Sequence, residues 1–277
     1  MAGAAAYRRW TLDDIPWERF DPARVDPDLL SIAKAAALVE ANGGAYADYL
    51  CGVFADDPEF QAAARQWARE EEQHGAALAE WARRADPSFD FAAAFCRYAE
   101  TIRLPVGVRR SVRGSRCGEL IARCMVEVGT SSYYTALAEG ADEPVLKEIC
   151  RRIAGDELRH YKLFYTHMKR YQDKERLGLL GRLKVALGRI GESEDDELAF
   201  AYYAANGPAG SYDRRRFNRA YVRRAYAYYR PRHVERGVAM VFKAVGLKPH
   251  GRLCLALTRL AYWGMDWRAR RLAAAGA

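Results

Sequence analysis

Apolar positions recur along most of the chain with the spacing of a helix face, and the alternating Val/Ile/Thr-rich runs that mark half-buried strands are missing. The pattern predicts an all-α protein, and its punctuation predicts where the helices turn. Asp26 followed by Pro27, and Asp57 followed by Pro58, each offer an N-cap with proline in the first turn. One helix is therefore expected over roughly 27–54 and a second from Pro58 to about Arg84, stopping before "ADPSF". "FDFAAAFCRYAETI" reads as a shorter helix ended by "RLP", and "VGVRRSVRGS" as loop. A fourth helix is expected from about Ser115 to a C-cap at Gly140. Asp142 to Pro144 then starts a fifth, which runs to about Tyr171.

Placing the charged residues on these helices exposes a repeat. Glu40 lies about 16 residues before the first turn and Glu71 about 15 after it, so at about 1.5 Å per residue the two carboxylates stand at nearly the same height. Glu127 and Glu157 are related in the same way about the second turn. Each returning helix carries a histidine three residues on, His74 in "EEQH" and His160 in "ELRH", and residues at i and i+3 share a face. Four carboxylates buried together are costly, but two divalent cations would neutralise them, and each histidine adds a neutral nitrogen suited to iron. One E-x-x-H is weak; two, each with a glutamate about 30 residues upstream at matched depth, form a specific pattern. The set resembles that of ferritin-like di-iron and di-manganese carboxylate proteins, a four-helix bundle built from two Glu…ExxH hairpins.

"QWAREEEQHG" (66–75) and "AGDELRH" (154–160) carry the resemblance further. They are similar to the W-x-x-E-E-N-R-H-G and A-D-E-K-R-H segments of the soluble acyl-acyl-carrier-protein desaturases, and "EVGT" (127–130) repeats that family's threonine three residues after a ligand glutamate. The likeness covers roughly residues 30–170. It implies metal ligands Glu40, Glu71, His74, Glu127, Glu157 and His160 around two irons, or an iron–manganese pair. It also implies roles for Asp156, as acceptor from a ligand histidine, and for Thr130, whose hydroxyl either faces dioxygen or bonds back to its own helix. Trp67 is read as core or as an electron conduit, and Glu70 and Glu72 as facing solvent or outer partners. The implied activity is an oxygen-dependent desaturase or hydroxylase acting on a hydrophobic substrate, free or bound to an acyl carrier protein, with an external donor such as ferredoxin. A homodimer is implied too. The other activity in view is iron or peroxide handling of ferritin or rubrerythrin type. This chain departs from the family at Glu72-Gln73 and beyond residue 175. The paired Gly43-Gly44 suggests either room beside the metals or close helix packing.

The 277 residues, half of them apolar, divide into an N-terminal arm (1–26), the bundle (27–175) and an extension (176–277). The six cysteines form no C-x-x-C pair and are expected to be buried thiols rather than a zinc or rubredoxin-type site. No leader or membrane-length apolar segment is evident, so a cytoplasmic location is expected. The net charge of +8 is concentrated from Tyr212 onward, with 16 Lys+Arg against three Asp+Glu, and the remainder holds 28 against 33. The basic, aromatic-rich extension would pack on the bundle, dock an acidic partner, or make peripheral membrane contact; nucleic acid is disfavoured because no binding motif accompanies the charge.

Overall fold

The computed structural model describes residues 9–105, 107–192, 196–207 and 210–274, with side chains through Arg271; most of the stretch in which a leader was sought lies outside them. Every regular element among these residues is helical. Three single-turn 3₁₀ helices (Leu12–Asp14, Trp17–Arg19, Pro22–Arg24) lead into α1 (Pro27–Ala41), α2 (Gly43–Val53), α3 (Pro58–Ala85), α4 (Phe91–Thr101), α5 (Arg116–Gly140) and α6 (Pro144–Glu175). The extension forms α7 (Leu179–Glu192), α8 (Asp196–Asn206), α9 (Arg214–Ala227), α10 (Pro231–Val245) and α11 (Arg252–Ala274).

The expected caps are largely in place. The Asp26 carboxylate accepts from Asp28 N (2.7 Å) and Leu29 N (3.1 Å), and Asp57 accepts from Phe60 N at 3.0 Å. Glu143 accepts from Leu146 N (2.7 Å) at the start of α6 and also from the Trp81 indole (2.7 Å) and Asp21 N (3.2 Å), which ties α3 and the N-terminal segment to the second turn. Three boundaries differ from expectation. The helix expected over 27–54 is broken at Asn42, between α1 and α2. Gly140 is the last helical residue, with Ala141 rather than glycine as the cap, and α6 runs four residues past Tyr171.

The glycine pair explains the break. A Cβ on Gly43 would lie 2.7 Å from Glu71 Cβ and 3.0 Å from the Ala68 carbonyl oxygen, and one on Gly75 would lie 2.7 Å from Ala41 N. The chain around Asn42 is pressed against α3, so the close-packing reading of Gly43 holds; Gly44 faces the Glu72 carboxylate.

α1 and α2 lie along α3, α5 lies along α6, and α3 meets α6. α4 and α8 cover α1, α7 and α10 cover α5, and α11 rests on α9 and α10. Among the described residues the apolar interior is two large clusters, with a small third one of Ala239, Phe242 and Cys254. The first joins Leu29–Leu38, Ala77–Ala82, Tyr133–Ala138 and Val145–Ala154 with α8 and α9; the second joins Ala47–Phe54, Phe60–Ala68, Cys117–Val128 and Tyr161–Tyr171 with α7 and the end of α10. Between them, at the same level on four helices, lies a polar layer.

In the extension, the aromatics Phe217 and Tyr221 of α9, with Val222, pack inward and join the first cluster, while Arg224 reaches Asp28 at 2.6 Å and Arg232 and His233 pair with Glu139. The cysteines are free thiols; Cys117, Cys124, Cys150 and Cys254 are buried as expected, but Cys96 is exposed and Cys51 half-buried.

One ion pair lends itself to a stability test. Lys34 is buried on α1, and its ammonium meets Asp86 at 2.5 Å, just past the end of α3. That contact, with help from Ser88, holds the Asp86 carboxyl down to about 2. A depressed acid contributes stability above its unfolded value and loses it as pH falls toward the folded one. The Asp86 side chain is 30% exposed, so screening trims the effect. Asp86→Asn is expected to cost about 1–2 kcal/mol at pH 7. In urea unfolding against the parent, the difference should vanish as pH approaches about 2.

Candidate metal centre

The polar layer holds the six residues singled out in the sequence. Glu40 ends α1, Glu71 and His74 sit at mid-α3, Glu127 at mid-α5, and Glu157 and His160 at mid-α6. None is more than 8% exposed. They fall into two overlapping groups, Glu40/Glu71/His74/Glu157 and Glu71/Glu127/Glu157/His160, each offering one ligand-type atom per residue within 4.8 Å of the others. Glu71 and Glu157 belong to both groups, so their carboxylates lie where bridging oxygens would.

The inward atoms are close but not hydrogen-bonded. His74 Nδ1 lies 3.5 Å from Glu40 Oε2 and 3.3 Å from Glu157 Oε1; His160 Nδ1 lies 2.9 Å from Glu71 Oε1, 3.7 Å from Glu127 Oε2 and 3.9 Å from Glu157 Oε1. No aligned hydrogen bond serves Glu40 Oε2, Glu71 Oε1, Glu157 Oε1, either oxygen of Glu127, or the two Nδ1 atoms. Buried polar atoms left this way are costly unless something else satisfies them, and here they all converge on one spot. Divalent cations bound by carboxylate oxygen and imidazole nitrogen fit this donor set.

The outward atoms, by contrast, are tied. Tyr134 donates to Glu40 Oε1 at 2.6 Å, and the Thr130 hydroxyl donates to Glu157 Oε2. His74 Nε2 faces Asp156 Oδ2 at 3.0 Å, and His160 Nε2 faces Glu70 Oε2 at 3.0 Å. The arrangement is crossed. The acid immediately before each E-x-x-H glutamate orients the histidine of the other hairpin, leaving Nδ1 free to face the centre. Arg159 touches both acids, Gln66 donates to Glu70 at 3.0 Å, and Arg9 reaches Glu70 at 2.6 Å. Trp10 donates its indole N–H to Asp156 Oδ2 at 2.8 Å and stacks on the His74 ring, 5.9 Å between centroids.

Several expectations can be placed against this geometry. Asp156 faces His74. Thr130 bonds back toward Val126 O (3.2 Å) and Glu127 O (3.3 Å) as well as touching Glu157, so its hydroxyl is shared between its helix and the centre. Trp67 is buried edge-on against Phe164 (5.4 Å) and His160 (6.5 Å), with its indole N–H unbonded, which is the setting of a core residue. Glu70 is buried against His160, whereas Glu72 is exposed. Trp10, Arg9 and Tyr134 were missed. For Glu70 a signal existed, because acid-E-x-x-H occurs in both hairpins; for Trp10 and Arg9, far away in sequence, none did.

Electrostatics follow the same division. Burial, then repulsion from Glu157 and Glu40, pushes Glu71 well above the carboxylate range, and burial with Glu157 raises Glu127 to about 8. Glu157 resists burial and stays low because His74 and His160 face it. Burial works against a charged His74 and His160, yet the carboxylates around them hold both well above the ordinary imidazole value. Asp156 and Glu70 are likewise held low against burial, by their histidines and Arg159.

Asp156→Asn tests the crossed orientation. The amide can present N–H to His74 Nε2, which favours the tautomer with its proton on Nδ1, facing the centre. Ferrous-ion affinity, measured anaerobically by titration on variant protein shown to be folded by circular dichroism, is expected to fall about 10–100-fold.

Residues 53–176 match the family model described as fatty acid desaturase. No curated protein matches the chain significantly. The matched segment, less than half of the chain, contains Glu71, His74, Glu127, Glu157 and His160; Glu40, Trp10 and α7–α11 lie outside it.

Proposed function

We propose that this chain is an oxygen-dependent oxidoreductase of desaturase or hydroxylase type, acting on a hydrophobic acyl chain at two irons held in a ferritin-like four-helix bundle. The observation that carries this reading is the convergence of unbonded buried oxygens and imidazole nitrogens into two groups that share Glu71 and Glu157. The desaturase-family match over α3, α5 and α6, which carry five of the six residues, supports it. Glu40 and His74 would hold one ion, Glu127 and His160 the other, and Glu71 and Glu157 both. Iron bound there would supply the activation of dioxygen needed to take hydrogen from an unactivated carbon.

The chain's own residues prepare that chemistry in three ways. Apolar clusters above and below the layer exclude water. Asp156 and Glu70 fix the imidazoles, with Trp10 and Arg159 holding Asp156 in turn. Thr130 holds a proton against the shared Glu157 carboxylate, on a flank where the neighbouring Gly129 reaches solvent.

A surface pocket of about 360 Å³ between α5, α6 and α10 is lined by Ala138, Ala154, Gly155 and Leu158 together with Glu139, Arg151 and Arg236. The homodimer, the ferredoxin-type donor and the acyl-carrier-protein partner remain part of the proposal.

The test is product analysis. Iron-loaded protein with a ferredoxin–reductase system and acyl substrates, carrier-bound and free, is expected to yield unsaturated or hydroxylated product in air and none without oxygen. Oxygen uptake by loaded protein with every acyl substrate unchanged would contradict it and favour iron or peroxide handling.

A further inference from the structure

Among the described residues no helix is long and apolar enough to cross a membrane. The exposed large hydrophobic residues are nevertheless concentrated: apart from Val112, those among the described residues all lie on α7 or α11. α11 has two apolar faces. Cys254 and Thr258 are buried on the side that meets α9 and α10. Leu253, Leu257, Leu260, Trp263 and Trp267, spaced by three and four residues, form a second stripe facing solvent, with exposures of 59, 41, 60, 63 and 48%. The two indoles stack at 6.4 Å, and the Arg271 guanidinium lies 4.7 Å over Trp267. At 100° per residue, Arg252, Arg259 and Arg270 run along one edge of the stripe. Asp266, the one acid of α11, is paired with Arg270 at 2.9 Å. α7, which also packs on α10, repeats the theme with exposed Leu180 and Leu187.

We propose that the outward face of α11 docks the chain on an anionic lipid surface, with the leucines and tryptophans at the acyl boundary and the arginines among the headgroups. An exposed apolar stripe rich in Leu and Trp with arginines beside it is what lets a helix lie in the plane of an interface, and its length of about 34 Å offers a row of contacts rather than a point. Charge chooses the occupant. A second copy seated face to face would set Arg252, Arg259, Arg270 and Arg271 against their own kind, whereas an anionic surface neutralises them. The inference is independent of the metal centre and of the proposed reaction.

Cosedimentation of the full chain with vesicles tests it. Binding to equimolar phosphatidylglycerol/phosphatidylcholine is expected to exceed binding to phosphatidylcholine alone at least about tenfold. Trp263→Ser/Trp267→Ser, on exposed positions, should weaken anionic-vesicle binding at least about tenfold while circular dichroism and melting temperature stay at parent values. Arg252→Gln/Arg259→Gln/Arg270→Gln should also weaken it, and more at low salt than at high salt. No binding to either vesicle, equal binding to both, or binding untouched by the tryptophan pair would overturn the proposal. So would a dimer that the tryptophan substitutions convert to monomer, since that would mean a second copy covers this face.

Discussion

Glu157→Ala is expected to empty both metal positions, whereas Glu40→Ala leaves one still filled. The asymmetry comes from geometry alone: Glu157 belongs to both ligand groups and Glu40 to one. Loaded anaerobically with ferrous iron and passed through a desalting column, the parent should retain about two ions per chain. Glu40→Ala and Glu127→Ala should each retain about one, and Glu71→Ala and Glu157→Ala close to none. The folded state should survive in every case. Glu71 and Glu127, whose carboxyls are pushed up by burial, should be lost at little cost to the metal-free melting temperature, whereas Glu157→Ala should lower it by leaving His74 and His160 without the carboxylate that faces them. Equal losses for Glu40→Ala and Glu157→Ala would show that the two groups do not share their ligands as the structure arranges them.

Metal uptake should also depend steeply on pH, and the sign is fixed by which groups carry protons beforehand. In the metal-free protein at pH 7, Glu127 is protonated, because its carboxyl titrates at about 8, and His74 and His160 are held as imidazolium by the acids around them. Ligation requires ionised carboxylate and neutral imidazole, so binding expels these protons, and affinity rises with pH. Apparent affinity should therefore fall steadily as pH is lowered through the range in which these groups take up protons. Calorimetric titration in buffers of different ionisation enthalpy counts the protons directly. Release of none would mean that the inward carboxylates and imidazoles are not the ligands.

Much of this was legible in the sequence, and the pattern of what was not is physical. Helix starts are local: an aspartate or glutamate just before proline caps α1, α3 and α6 through bonds spanning three residues or fewer. The convergence of the six side chains was legible because distance from a turn along the sequence converts into height, which placed Glu40 beside Glu71 and Glu127 beside Glu157. The break at Asn42 was not, since it depends on how closely Gly43 and Gly75 let α1, α2 and α3 approach. Trp10 was invisible for a related reason. It reaches Asp156 across 146 residues, and nothing in "YRRWTL" announces that contact. Thr130 shows the limit of a motif, because spacing put its hydroxyl on the right face but not onto both the helix carbonyls and Glu157.

The central claim is a paired metal site in the polar layer between the two apolar clusters. Crystals grown anaerobically with excess ferrous iron, with anomalous scattering recorded at the iron edge, test it most directly. Two peaks per chain are expected, both contacted by the carboxylates of Glu71 and Glu157, one also by Glu40 and His74 Nδ1 and the other by Glu127 and His160 Nδ1. A folded protein whose anomalous peaks lie elsewhere, or whose six side chains instead enclose a hydrogen-bonded water cluster, would contradict it.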